Sequence, residues 1–405
     1  MKKLYQLTTL LIALMLSHSI SAQQWNNVGN AGFSAGSTEY NDMALDGSGT
    51  PYVVFRDNNN SGKVTGMKFN GNTWETVGTA GFSADAASYI SMAINSNGIP
   101  YVAYKDFGTS GNGGITVKKF NGTVWETVGS EGFSGSYISY TDIAFSSNGT
   151  PYVVYSSGGS TNKPTVKKFD GNNWVTVGNP AFSTSYVGST CIAINSNDII
   201  YVGYRDGGGN SDKATVMKFN DSSNTWETVG SAKFSSGPAY GLNIAINNNN
   251  TLYVVYSDDG NGLKATAMKF NGTAWVSVGN ANGFSASYAA YTDIAINNTG
   301  TPYVVYRDGG NTLKATVMKF NDGANAWETV GSAGFSAGNA DYTSIAINSS
   351  DDLYVAYKDG GNSNKATVMK YSTSNPSIPL SDWALYSGIF LIIGFVVIRY
   401  LKDMV

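Results

Sequence analysis

The feature that most constrains this chain is a unit that occurs seven times. The pattern Trp-x-x-Val-Gly begins at Trp25, Trp74, Trp125, Trp174, Trp226, Trp275 and Trp327, at intervals of 49 to 52 residues. Three other patches recur in phase with it. One is Ile-Ala-Ile-Asn or a variant (residues 92–95, 294–297 and 345–348), one is Pro-Tyr-Val-Val-Tyr-Arg-Asp (complete at 302–308), and one is Lys-Ala-Thr-Val-Met-Lys-Phe (213–219 and 314–320). Each patch is short, rich in β-branched and aromatic residues, and bounded by Gly, Asn, Asp or Pro, and nothing between them has a helical apolar period. Four strand-like patches per period of about 50 residues describe the blade of a β-propeller. The expected fold is all-β: seven blades of four antiparallel strands over residues 23–371.

Loop lengths set the strand order. Ser-Asn-Gly (96–98), an Asp-Gly-Gly-Asn turn (308–311) and Asn-Gly (Asn70, Gly71) join successive strands. The longest connection, from Gly78 to about Ser91, suits passage from one blade's outer strand to the next blade's inner strand. The Ile-Ala-Ile strand is then innermost and Trp-x-x-Val-Gly outermost. The first copy enters at its outermost strand and the last stops at Tyr371, before its own. The N-terminal strand is therefore expected to complete the last blade and close the ring, leaving no loose sheet edge. The recurrent Phe33, Phe82, Phe133, Phe284 and Phe335 are expected to fill the gaps between blades. Lys68 should face Glu75, Lys119 Glu126, Lys218 Glu227 and Lys319 Glu328 as cross-strand pairs.

The two ends read as address labels. Lys2, Lys3, the apolar run 10–16 and the small residues 19–22 make residues 1–22 a signal peptide. A linker (372–382), an apolar segment long enough to span a bilayer (383–401) and a short tail (402–405) end the chain. Arg399 and Lys402 place that tail in the cytoplasm and the propeller outside it. The run Ile378-Pro-Leu-Ser-Asp-Trp383, followed by apolar residues and then Arg399 and Lys402, resembles the IPTL and PEP-CTERM sorting tails of bacterial surface proteins. It departs from the IPTL form at Leu380, Ser381 and Ala384. The resemblance implies that Pro379, Ser381 and Trp383 belong to a motif read by a membrane sorting protease. The chain is thus expected in the cell envelope, either held by a single transmembrane helix or released to the surface once the tail is processed.

With 25 Lys and Arg against 28 Asp and Glu, the chain has no basic surplus for nucleic acid. Its only histidine, His18, lies in the signal segment and its only cysteine is Cys191, so neither a Ser-His-Asp triad nor a His- or Cys-ligated metal is expected. The Asp-Gly-Gly loops read as turns and not as calcium sites, and no metal or cofactor is expected. Tyr40, Tyr89, Tyr140, Tyr291 and Tyr342 recur just before the inner strand, with Asp42, Asp142 and Asp293 two residues on. Gathered at the channel mouth, these rings and carboxylates would offer a sugar stacking faces and directional hydrogen bonds. Because the copies look interchangeable, the expectation is a non-enzymatic module binding glycans multivalently. The alternatives are a protein partner in the envelope, a structural scaffold, and a glycoside hydrolase using carboxylates such as Asp142 or Glu131. In fold, the repeat over residues 24–371 resembles seven-bladed propeller lectins.

Overall fold

Each repeat pairs its patches in sequence order. In blade 1 the strands are Thr38–Leu45, Pro51–Asp57, Lys63–Phe69 and Trp74–Thr76, each antiparallel to the next. Blades 2 to 6 repeat this from inner strands beginning at Ala87, Ile138, Val187, Ala239 and Ala289. Blade 7 comprises Ala340–Ile347, Leu353–Asp359 and Lys365–Tyr371, and its fourth strand is Trp25–Asn27, with Trp25 opposite Tyr371. The N-terminal strand closes the ring as one strand plus three. The computed structural model describes residues 24–372 apart from 109–112, 136, 159–160 and 209–210. Residues 1–22, expected as a signal peptide, residues 383–401, expected as a membrane span, and Pro379, Ser381 and Trp383 of the expected sorting motif lie outside the described residues. Among the described residues no helix is long and apolar enough to cross a membrane.

The second strand of each blade is apolar on both faces because both faces are covered. Val53 and Phe55 pack with Tyr354 and Ala356 of blade 7, whereas Val54, between them, packs with Met92 and Val102 of blade 2. Alternate residues of one strand thus fill two different inter-blade cores. The Asp-Gly-Gly turns are self-satisfied: the Asp308 carboxylate accepts from Gly310 N–H, Asn311 Nδ2 and the Thr316 hydroxyl at 2.8–2.9 Å. Cross-strand ion pairs form at Lys68–Glu75 (3.2 Å), Lys218–Glu227 (3.7 Å) and Lys319–Glu328 (3.5 Å), and Lys119 stands opposite Glu126.

The Trp-x-x-Val-Gly motif is a latch between blades. Each indole Nε1 donates to the motif's valine carbonyl in the preceding blade, from Trp74 to Val28 around to Trp25 to Val330, at 2.6–3.1 Å. A phenylalanine from the intervening link stacks on each indole, as Phe33 does on Trp74 at 4.1 Å and 9°. Phe182 and Phe234 complete the set of seven at Trp226 and Trp275. The motif glycine gives the indole room: Gly29 has φ +68°, and a Cβ there would come within 2.9 Å of Phe69 and 3.2 Å of Trp74.

The links are shorter than the sequence suggests. The inner strand of blade 2 starts at Ala87, paired with Asp106, and not near Ser91. The tyrosines therefore sit inside the inner strands.

If the latch at the closing blade equals the other six, Trp25→Ala should destabilise the protein as much as Trp174→Ala, by about 3–5 kcal/mol in chemical denaturation. A near-neutral Trp25→Ala would show that the ring does not depend on its N-terminal strand.

Candidate functional site at the channel mouth

The inner strands adjoin one another in a full circle around the axis and enclose a cavity of about 450 Å³. At its mouth each strand carries a register break. In blade 1 Glu39 pairs with Arg56 and Asp42 with Val54, so Tyr40 and Asn41 together oppose Phe55 alone. The first residue of such a bulge adopts left-handed backbone, a place that suits glycine. Here it is filled by Tyr40, Tyr89, Tyr140, Ser189, Gly241, Tyr291 and Tyr342, all with φ between 46° and 60°. Only blade 5 has the glycine. A bulky residue held left-handed costs on the order of 1–2 kcal/mol. Five tyrosines accept that cost.

The five rings form a continuous arc. Successive centroids from Tyr291 through Tyr342, Tyr40 and Tyr89 to Tyr140 lie 5.0, 5.2, 5.5 and 5.2 Å apart. All five line the cavity and are half-buried. Burial raises the hydroxyls of Tyr40, Tyr140, Tyr291 and Tyr342 further above their ordinary range, so the arc presents neutral phenols. The Arg307 guanidinium lies 4.8 Å from the Tyr291 ring. The structure thus brings together all five tyrosines singled out in the sequence.

Two residues deeper, the same position reads Asp42, Ser91, Asp142, Cys191, Asn243, Asp293 and Ser344 around the ring. The three carboxylates work as staples. Asp42 accepts from the backbone of Met43 and, across the blade boundary, of Met92 (2.9 and 2.7 Å), and from the Ser344 hydroxyl of blade 7 (3.0 Å). Asp142 does the same with Ile143, Ile192 and Ser91, and Asp293 with Ile294, Ile345 and Asn243. Of the seven blade boundaries, six carry such a bond. At the seventh, between blades 4 and 5, the equivalent depth is apolar: a Cβ on Gly203 would come within 2.9 Å of the Cys191 sulfur and 2.8 Å of Leu242.

Lodged this deep, the carboxyls favour their neutral form. Burial, opposed by the backbone N–H donors and reinforced by the other channel carboxylates, pushes Asp42 up to about 6 and Asp293 up to about 7. Asp142 is raised too, chiefly by burial. Burial also raises the Cys191 thiol well above its ordinary range. Among the described residues no three acidic, His or Cys side chains gather closely enough to hold a metal ion. The role of Asp42, Asp142 and Asp293 as inter-blade staples was not legible in the sequence. In the sequence they stood out only as carboxylates that could offer a sugar hydrogen bonds beside the tyrosines.

No protein-family model matches the sequence, and no curated protein matches it. Solved structures do. The chain superposes on an ulvan lyase of polysaccharide lyase family PL25, bound to -[GlcA(1-4)Rha3S]-, with TM-score 0.58 at 14% identity, over 85% of this chain and 95% of that one. A protein of unknown function from Dyadobacter fermentans gives 0.50 at 12%, over 86% and 99%. A fungal alcohol oxidase of the AA5 family, in complex with copper, gives 0.53 at 11%, over 85% and 76%. At these identities the likeness is one of fold.

The neighbours overturn the expectation that the protein is not an enzyme, since propellers of this architecture include a polysaccharide lyase and an oxidase. That expectation came from judging the copies interchangeable. They are not so where it matters: the channel position varies between Asp, Ser, Cys and Asn from blade to blade, and two blades lack the tyrosine.

Two outcomes test this geometry. Because Tyr89 is held left-handed, Tyr89→Gly should destabilise less than Tyr89→Ala, by about 1 kcal/mol in urea denaturation. An equal loss would mean that the bulge is unstrained. The carboxyls also set a pH dependence. Asp42 and Asp293 keep a proton in the fold where the unfolded chain has released it, so stability should fall as pH rises from about 4 to about 7. Asp293→Asn should flatten that slope, and a wild-type profile rising through this window would refute the assignment.

Proposed function

We propose that the protein acts on a polysaccharide at the mouth of its channel, where the tyrosine arc holds the sugar residues and Asp42 and Asp293 supply acid–base chemistry. The observation that carries this reading is the arc itself: five rings forced into backbone that glycine prefers, with carboxyls that titrate near neutrality directly beneath. Strain of this kind persists where the surroundings over-determine it, and it gathers at ligand-binding sites. Tyrosine rings offer flat faces to the C–H side of a pyranose, and their neutral hydroxyls both donate and accept. A carboxyl titrating between 6 and 7 holds its proton often enough to give it to a leaving oxygen and loses it often enough to take one back. In this reading residues 1–22 export the propeller and 383–401 tether it in the envelope, so that the mouth meets polysaccharides outside the cytoplasm.

The ulvan lyase sharing this fold is bound to a uronate- and sulfate-bearing chain. Ulvan is accordingly the first probe, followed by arabinan and neutral β-glucans. Native gels cast with each polymer report binding. New reducing ends and the ultraviolet absorbance of unsaturated uronates report hydrolysis and elimination. The expected result is retardation and cleavage by the wild type, loss of both in Tyr89→Ala, and retained binding in Asp293→Asn with turnover about 10²-fold lower or less. Absence of retardation and cleavage on every polymer would overturn the reading.

A further inference from the structure

We infer that the polysaccharide runs out of the mouth across blades 4 and 5, along a track of exposed tyrosines lying outside the arc. The inference rests on the reading of the mouth as a polysaccharide site and adds where the chain continues. The arc is open on one side only: it spans blades 6, 7, 1, 2 and 3, and is broken by Ser189 and Gly241. The same side carries the one blade boundary without a carboxylate staple. A bound chain longer than the mouth meets least obstruction there.

That side is also where aromatic surface is exposed. Among the described residues the exposed large apolar side chains are Val124, Tyr137, Tyr186, Tyr240 and Tyr288, and all four tyrosines adjoin the mouth ends of inner strands, in blades 3 to 6. Blades 7, 1 and 2 have Asn339, Ser37 and Ala86 where blades 3, 4 and 6 have Tyr137, Tyr186 and Tyr288. The rings are seated. A Cβ on Gly207 would overlap the Tyr186 ring, and one on Gly309 the Tyr288 ring, so each lies against a glycine backbone that side-chain bulk would lift away.

Between Tyr186 and Tyr240 the polar groups are already in line. The Tyr186 hydroxyl donates to Asp212 Oδ1 at 3.3 Å, Arg205 Nε stands 3.7 Å from the same oxygen, and the Arg205 guanidinium lies 5.0 Å from the Tyr240 ring. Arg205 Nε is buried without a hydrogen-bond partner. Two exposed ring faces flanking a carboxylate and a guanidinium form a sugar subsite: the rings take C–H faces, Asp212 accepts hydroxyl protons, and Arg205 donates to hydroxyl, carboxylate or sulfate oxygens.

The test is chain length. Affinities are measured by calorimetry for the di-, tetra- and hexasaccharides of the polymer retained in the screen, beginning with ulvan. Wild type should bind more tightly as the chain lengthens. The double variant Tyr186→Ala/Tyr240→Ala should hold the disaccharide as wild type does and bind the hexasaccharide about tenfold more weakly. Tyr186→Phe should keep most of that gain, which guards against a folding defect. Affinity independent of length, or a length gain that survives the double variant, would overturn the track while leaving the mouth intact. Failure of every length to bind would overturn both.

Discussion

The bond on which the rest of this structure depends runs from an indole to the valine carbonyl of the blade before it. A four-stranded blade is hydrophobic on both faces and has no stable existence by itself, so its stability is that of its two boundaries. The Trp-x-x-Val-Gly motif serves each boundary from both sides: its tryptophan reaches back, while its valine carbonyl and glycine receive the next tryptophan. The same five letters therefore had to appear in every copy. The ring closes because Trp25 meets Val330 in the geometry that Trp74 uses for Val28. Placing one strand of the last blade at the N-terminus closes the ring through the hydrogen-bonded pairing of Trp25–Asn27 with Lys365–Tyr371.

With the outer boundaries secured so uniformly, the inner strands are free to differ. Polar staples at Asp42, Asp142 and Asp293 bind blades in overlapping trios, 7–1–2, 2–3–4 and 5–6–7, and at the same depth between blades 4 and 5 Cys191 and Leu242 pack instead. The tyrosine arc is interrupted over the same two blades. Two independent side-chain systems, one polar and deep, one aromatic and at the rim, thus depart from sevenfold symmetry on the same side. Packing needs alone would not favour this coincidence, since a glycine in the bulge, as at Gly241, satisfies the backbone at less cost than tyrosine.

Much of the fold was legible in the chain because a blade is built from local periodicity: strand length, turn residues and repeat phase together dictate order and closure. The site was legible only in part. Tyr40, Tyr89, Tyr140, Tyr291 and Tyr342 stood out by recurrence, but their bulge did not, because a residue pair opposing a single partner interrupts the two-residue alternation from which strands are recognised. Asp42 and Asp293 stood out as carboxylates beside the tyrosines, but their role between blades did not, since the bonds that define them cross to residues fifty or more positions away. Tyr186 and Tyr240 were missed for the opposite reason, as neither belongs to a recurrent column of five.

The departures from the repeat, more than the repeat, separate a symmetric binding surface from a single site. Seven equal pockets would call for the same residues at Tyr40, Ser189 and Gly241. The chain instead places its arc of tyrosine rings over five blades, leaves the remaining two without it, and puts carboxyls raised by burial at only three of seven equivalent positions. On the proposed reading the ligand is a chain with distinct reducing and non-reducing ends, and a site that distinguishes directions around the ring suits such a chain. Sevenfold scaffolding with one broken side provides it: the latches join the blades uniformly, while the lumenal staples join six boundaries and leave one side different.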